Sequence, residues 1–482
     1  MSNGAIPQHV LIIGAGVFGL STALSILHKP EYKAIRLTIV DASPSLPNPD
    51  GSSVDASRIV RADYAYRHYS RLALEAQELW RDKTPEGWGG EGRYYEPGFV
   101  LTADEEEGGR YVKESLATVR ELAAEEEKDH QGRRRWSVDT DKIKELRNPD
   151  EIRAATGYDQ VSGDYGYANF NSGWADAEKC VAYALRRLRQ EGGDRVTLRS
   201  GAHVARLLVS PGAEECTGVE LVGGEQIHAD LTILAAGAWS PTLIDLQGRC
   251  LATGQAIAYV NITDEEVKAM QDRPTIMNLS RGMFIIPPRT KELKIARHGF
   301  GYMNPVKIPR KKLDPGFLNN DLDGSEEGGV VEVSVPKVGT PIPLEGQKAL
   351  REALRGLVPH MAERPFSRTR ICWYCDTPTG DFLITFHPRY KGLFIATGGS
   401  GHGFKFFPVI GDKIVDAIQG TLDPELAKEW RWRTDAEVAA TGVVQDFIGC
   451  EDGSRAGPKG MILEQELARK DIKPSLRRDS KL

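Results

Sequence analysis

The chain has 482 residues, 40% of them hydrophobic and 27% charged, with 62 basic side chains against 68 acidic ones. That is a soluble globular composition with enough chain for a large core, and the net charge of −6 supplies no basic surface for nucleic acid. No run of eighteen apolar residues occurs, so no membrane span is expected. The first apolar run, Val10–Ile13, lacks a basic lead and is broken by glycines, unlike a signal peptide.

"HVLIIGAGVFGLSTALSIL" opens with a strand, His9–Ile13. It turns through Gly14-Ala15-Gly16-Val17-Phe18-Gly19 and enters a helix from Val17 to about Leu27. "IRLTIVDAS" supplies the next strand, which ends in Asp41, 22 residues beyond Gly19. This is a dinucleotide-binding βαβ unit. Gly14 permits the tight turn, Gly16 lets backbone approach a pyrophosphate, and Gly19 lets helix pack on strand. The helix start offers N–H groups and a positive dipole to the phosphates, and Asp41 can take ribose hydroxyls. The pattern leaves NAD and FAD both open. "GSSVDASRIVRADYAYRHYSRLALEAQELW" follows, with Ser52 and Ser53 in a loop that can reach the cofactor. Arg58 and Arg61 come next, either one able to turn inward for an anion, and then a helix over about Tyr69–Trp80.

Residues 103–150 are charge-dense, and "YVKESLATVRELAAEEE" has helical spacing, as expected for a solvated helix on a peripheral domain. "GWADAEKCVAYALRRLRQEG" is a second amphipathic helix. In "CTGVELVGGEQIHADLTILAAGAWS" a buried strand runs into Gly237, where backbone can meet a cofactor again. Residues 254–335 read mostly as β structure, "EGQKALREALRGLVP" as a helix, and "GLFIATGGSGHGFKFFPVIGDKIVDAI" as a strand, a glycine-rich turn and a helix.

Six sparse cysteines, at 180, 216, 250, 372, 375 and 450, suit a reducing compartment. Cys372 and Cys375 form a Cys-x-x-Cys, but no second pair or His pair completes a zinc site. A turn, Asp376-Thr377-Pro378, follows where a redox pair would begin a helix. That excludes metal and disulfide roles and leaves a separate role open for one thiol. The chain ends in Ser480-Lys481-Leu482, a receptor-read peroxisomal address on a polar tail. Peroxisomes hold catalase, so the address fits an enzyme that releases hydrogen peroxide.

The glycine-rich βαβ unit, "SSVDASRIVR", "ICWYCDTP" and "GGSGHGFKFFPVIG" stand together in one order. With them the chain resembles the monomeric sarcosine oxidase family over roughly residues 8–435. More narrowly it resembles the fungal branch of saccharopine, pipecolate and fructosyl amino acid oxidases. The resemblance implies a mixed α/β fold, in which a Rossmann-like FAD-binding domain of the glutathione-reductase/p-hydroxybenzoate-hydroxylase type interleaves with a β-rich substrate domain. The boundaries expected are 1–100, 160–245 and 365–425 for FAD, 101–159 and 246–364 for substrate, and 426–482 as a C-terminal extension. It also implies oxidation of the C–N bond of a secondary amine or N-substituted amino acid. Hydride passes to flavin N5, and O2 takes the electrons to give imine and H2O2.

Residue by residue, the family's Cys-x-Tyr motif falls on Cys372 and Tyr374, which makes Cys372 the expected 8α-S-cysteinyl tether of the flavin, Cys375 a packed neutral thiol, and Tyr374 a substrate-facing group. The substrate carboxylate falls to Arg61 and Lys405, with Arg58 nearer the flavin. Val204 and Gly237, with Gly401, His402, Gly403 and Phe404 before Lys405, are expected at the cofactor. Lys294 matches a lysine that promotes reaction with O2, and His298 an active-site histidine; four apart on a strand, they face one side. Two positions depart from the family: Ile285 where sarcosine oxidases have a tyrosine, and Val54 where a histidine lies near the flavin. Ile285 suggests a bulkier or less polar N-substituent than methyl. A fructosyl amino acid oxidase and a biosynthetic N-methyl amine oxidase with a cyclising imine are the alternatives. An NAD dehydrogenase or a non-catalytic protein of the same fold stand further off. Also expected are a monomer, a peroxisomal import receptor as partner, and no nucleic-acid or membrane partner.

Overall fold

The computed structural model describes residues 6–470 apart from 126, 127, 129–133, 211, 213, 315–328, 442–449 and 451. The address Ser480-Lys481-Leu482 lies outside the described residues. The apolar stretch His9–Ile13 forms the centre of a six-stranded sheet because both its faces are covered. Its order is Leu383–Phe386, Leu393–Thr397, Leu231–Leu234, His9–Ile13, Arg36–Val40, Val196–Arg199, and all pairs are parallel except the first. The helix Val17–His28 buries nearly every side chain between this sheet and the helices Ala177–Gly192 and Ile410–Gln419. Gly411 makes that crossing close: a Cβ there would sit 2.0 Å from the Ser21 carbonyl oxygen.

The second layer is a ten-stranded sheet. Its long rib is the antiparallel pairing of Leu251–Asn261 with Phe366–Asp376, in register Gln255↔Cys372 and Thr253↔Tyr374. The other edge of Leu251–Asn261 carries Glu292–Arg297, then Met283–Ile286, Thr275–Asn278, Phe99–Ala103, Tyr165–Asn169 and Ile143–Leu146. The charge-dense helix, Glu105–Ala124, is not merely solvated: Val112, Leu116 and Val119 bury against these last strands. A small sheet of Arg58–Val60, Gly173–Ala175 and Tyr94–Tyr95 bridges the two layers. The C-terminal stretch does not stand apart. Trp430 is buried in the nucleotide-side core, and Met461–Ile462 extends the large sheet beside Tyr302–Met303. Among the described residues no helix is long and apolar enough to cross a membrane.

Candidate active site

A cavity of about 440 Å³ runs between the two layers. At one end it touches Gly14, Gly16, Val17, Phe18, Asp41, Ser52, Ser53, Val204 and Gly237; at the other, Gly401, His402, Gly403, Phe404 and Lys405. The glycines are local necessities. Gly14 holds φ +108°, and a Cβ there would lie 2.4 Å from the Ala235 oxygen. Gly19 lies off the cavity and does the packing expected of it, its Cα side 2.0 Å from the Gly14 oxygen for any added Cβ. Asp41 Oδ2 accepts from the Ala15 N–H at 2.9 Å, and Ser53 Oγ accepts from the Val17 N–H at 3.0 Å. Loop, acid and helix start are thus locked together.

Mid-cavity, Cys372 and Tyr374 share one face of their strand, while Trp373 and Cys375 pack on the other. The two thiols of the Cys-x-x-Cys therefore point apart, and Cys375 rests 3.3 Å from Thr397 Oγ1. Arg58 Nη2 lies 3.4 Å from Cys372 Sγ. A buried carboxylate that the sequence reading passed over, Asp55, organises this region. It pairs with Arg58, accepts from the Tyr259 hydroxyl, and lies 2.7 Å from Lys294 Nζ. Lys294 also donates to the Ser57 carbonyl at 2.8 Å. Burial opposes charge on Asp55, but Lys294 and Arg58 outweigh it and hold the carboxyl well below its usual range. Burial likewise pulls Lys294 down to about 8, with Asp55 resisting and Arg58 assisting.

Beyond them stand two buried cations. Among the described residues neither Arg61 nor Lys405 has a carboxylate within ion-pair reach, and Arg61 Nη1 has no hydrogen-bond partner. Arg61 is held only by ring faces, 4.9 Å from Tyr64 and 5.3 Å from Phe99. Lys405 sits on a single 3₁₀ turn, Gly403–Phe406, its carbonyl tied to the Trp80 indole at 2.7 Å. Its Nζ donates to Tyr64 Oη at 2.7 Å, and Tyr64 and His402 Nδ1 lie 3.0 Å apart. His402 Nε2 is 2.9 Å from the Gly380 carbonyl, which fixes its tautomer: Nε2–H donates and Nδ1 accepts from the tyrosine. Burial, reinforced by Arg61, pushes the Lys405 ammonium well below its ordinary pKa. His298, just past its strand, faces the same cavity as Lys294 and is kept neutral by burial and by Arg455 and Arg61.

One inference from the sequence is corrected. Ile285 is fully buried in the core on the far side of its strand, against Ile276 and Ile295, so it says nothing of the substrate. Its neighbours Phe284 and Ile286 face the cavity, as does Val54. A one-residue shift on a strand exchanges faces.

The cavity fits FAD by its own construction. At the nucleotide end the helix start lacks a cap from Gly16 and an acid in its first turn. Gly237 holds φ +54° with open space beside it, and Gly401, at φ +70°, leaves a cradle that a Cβ would fill, 2.4 Å from the Tyr374 ring. Residues 9–417 match the family model of FAD-dependent oxidoreductases, and the chain belongs to that family. An amino acid oxidase of Aspergillus flavus (imqH) is 32% identical over 478 residues, 88% of this chain and 98% of that one. The L-saccharopine oxidase of Schizosaccharomyces pombe is 28% identical over 444 residues, 88% of this chain and 93% of that one. The crystal structure of fructosyl amine:oxygen oxidoreductase (Amadoriase I) from Aspergillus fumigatus superposes with a TM-score of 0.74 at 26% identity, covering 96% of both chains. Family, fold and oxidase class thus agree with the resemblance carried by the motifs.

Proposed function

We propose that the protein is a covalent-flavin oxidase of the C–N bond of an N-substituted amino acid. The observation that carries this reading is the pair of buried cations, Arg61 and Lys405, left without a carboxylate in the cavity that also holds Cys372 and Lys294. A buried charge without a partner costs several kcal/mol, on the order of 3–5. The substrate's carboxylate supplies that partner, bidentate to the guanidinium and charge-assisted from the lysine. Tyr64 aims Lys405, and His402 aims Tyr64. The same cations and the loss of water lower the pKa of the bound amine, so it enters the reaction neutral. His298, itself neutral, can accept the amine's remaining hydrogen bond. FAD, when bound, supplies the oxidising power, taking two electrons from the amine carbon and passing them to O2. Cys372 is the residue to hold it covalently, with Arg58 against the sulfur, and Lys294 is the cation for oxygen reduction. Imine hydrolysis and H2O2 release follow.

Fructosyl amino acids are the second reading, favoured by the structural likeness to Amadoriase I. Against it, Met277, Phe284 and Ile286 line the cavity. A polyhydroxylated sugar buried on them would lose hydrogen bonds that an alkyl substituent does not need. The terminal Ser480-Lys481-Leu482 supports peroxisomal import through a receptor, and a monomer completes the proposal. The test is anaerobic bleaching of the bound flavin by sarcosine, L-pipecolate, L-saccharopine and fructosyl amino acids, with peroxide detection in air. Product analysis separates hydrolysed imine from a cyclised one. Bleaching by fructosyl amino acids alone would overturn the preferred substrate class.

A further inference from the structure

The residues after 449 fall outside the family match, which ends at 417, and their sequence carries no motif. One of them nonetheless reaches the centre of the site. Arg455 is 7% exposed, and its guanidinium spends its donors on three separate chain segments. It clasps Asp376 from both terminal nitrogens, Nη1 to Oδ2 at 3.0 Å and Nη2 to Oδ1 at 2.6 Å. It donates to the Ser400 carbonyl at 2.8 Å and to the Gly299 carbonyl at 3.2 Å. Each acceptor adjoins a group that faces the cavity. Asp376 is two residues from Tyr374 on the same strand. Ser400 precedes Gly401 and the turn that bears His402 and Lys405. Gly299 follows His298. The guanidinium also lies 5.5 Å from the Tyr374 ring centroid.

The grip falls where the backbone needs holding. Ser400 has φ +43°, a left-handed conformation costly for a residue with a Cβ, and Gly401 beside it has φ +70°. The chain around Arg455 is itself anchored: Phe300 N–H donates to the Ala456 carbonyl at 3.2 Å, and Met461–Ile462 pairs with Tyr302–Met303. A bidentate guanidinium–carboxylate clasp fixes orientation as well as distance.

We propose that Arg455 is a positioning residue of the substrate site, fixing the mutual geometry of Tyr374, His298 and the Ser400–Lys405 turn, so that a segment outside the family match completes the pocket. This rests on the reading above only in taking that face as the amine's side. Arg455 has no bond to Asp55, Lys294 or Cys372, so its loss should act on one half of the reaction.

The test compares holoenzyme of wild type, Arg455→Ala, Arg455→Lys and Asp376→Asn by amide hydrogen exchange and by rapid mixing. In R455A, exchange should quicken in peptides covering 298–303, 374–377 and 398–405, and stay unchanged at 9–13 and 231–234. Flavin reduction by whichever of sarcosine, L-pipecolate or L-saccharopine bleaches the wild type should slow at least ~10-fold, with reoxidation by O2 unchanged. R455K should recover part of the loss. If R455A does not fold, D376N, which keeps the two carbonyl bonds, should show the same pattern more weakly. Wild-type exchange in those three peptides, an equal rise throughout the parallel sheet, or wild-type reduction rates would overturn the proposal. If no amine bleaches the wild type, the substrate reading fails, and the exchange pattern still decides the role of Arg455.

Discussion

Replacing Lys294 with methionine isolates the step in which oxygen is reduced. The ammonium is 4% exposed and bonded to the Ser57 carbonyl and Asp55, so its loss removes a buried cation. The carboxylate it leaves still has Arg58 and the Tyr259 hydroxyl. The cost to folding should therefore be about 1–3 kcal/mol, short of what an orphaned buried charge would cost. A cation ~5 Å from a forming superoxide contributes about 3 kcal/mol at an effective dielectric of ~20. Reoxidation should accordingly slow on the order of 10²-fold, while flavin reduction by amine changes only a few-fold. Rapid mixing measures both: anaerobic enzyme with amine, then reduced enzyme with oxygenated buffer. A pH series adds a second check. The Lys294 pKa lies at about 8, so the ammonium is present below that value and lost as pH rises through it. Wild-type reoxidation should fall across that range, and the K294M profile should be flat. Equal losses in both half-reactions, or unaltered reoxidation, would refute the reasoning.

Arg61→Met should lower kcat/KM for a carboxylate-bearing amine on the order of 10²-fold, the worth of a bidentate charge-assisted pair. The melting temperature of that variant should not fall, because Arg61 Nη1 is buried without a partner; kinetics and calorimetry check the two halves. Cys372→Ser should release its flavin on acid precipitation, whereas Cys375→Ser, altered on the other face of the strand, should keep a yellow pellet of raised mass. Gly401→Ala should lose cofactor affinity and about 1–3 kcal/mol of stability, since φ is +70° and the new Cβ meets the Tyr374 ring; flavin content and thermal unfolding measure it.

The βαβ unit was legible because all its signals are local: strand, glycines, helix and acid lie within residues 9–41. The site was not local. Arg58 and Cys372 meet across 314 residues and Tyr64 and Lys405 across 341, so no periodicity could join them, and only the resemblance to a family put them in one pocket. Asp55 escaped notice because an aspartate in a serine-rich loop reads as a turn former. Its role emerges only when Lys294 arrives from a distant strand. Ile285 misled because an ungapped match is uncertain by one residue, and on a strand one residue is the difference between cavity and core. Arg455 gave no sign at all: a single arginine in a polar stretch has no pattern, and its partners are set by topology.

The order in which the pocket's walls are made has a consequence for how the enzyme acquires its cofactor. The ribosome releases the six parallel-sheet strands, the rib bearing Cys372 and the turn bearing Lys405 before it reaches residue 450. Domains fold as they emerge. A newly made chain thus presents a nucleotide groove and a tethering thiol while the side guarded by Arg455 is still unsealed. A bulky dinucleotide has a route in at birth that the finished protein has narrowed, so loading during synthesis should be easier than reloading the mature apoprotein.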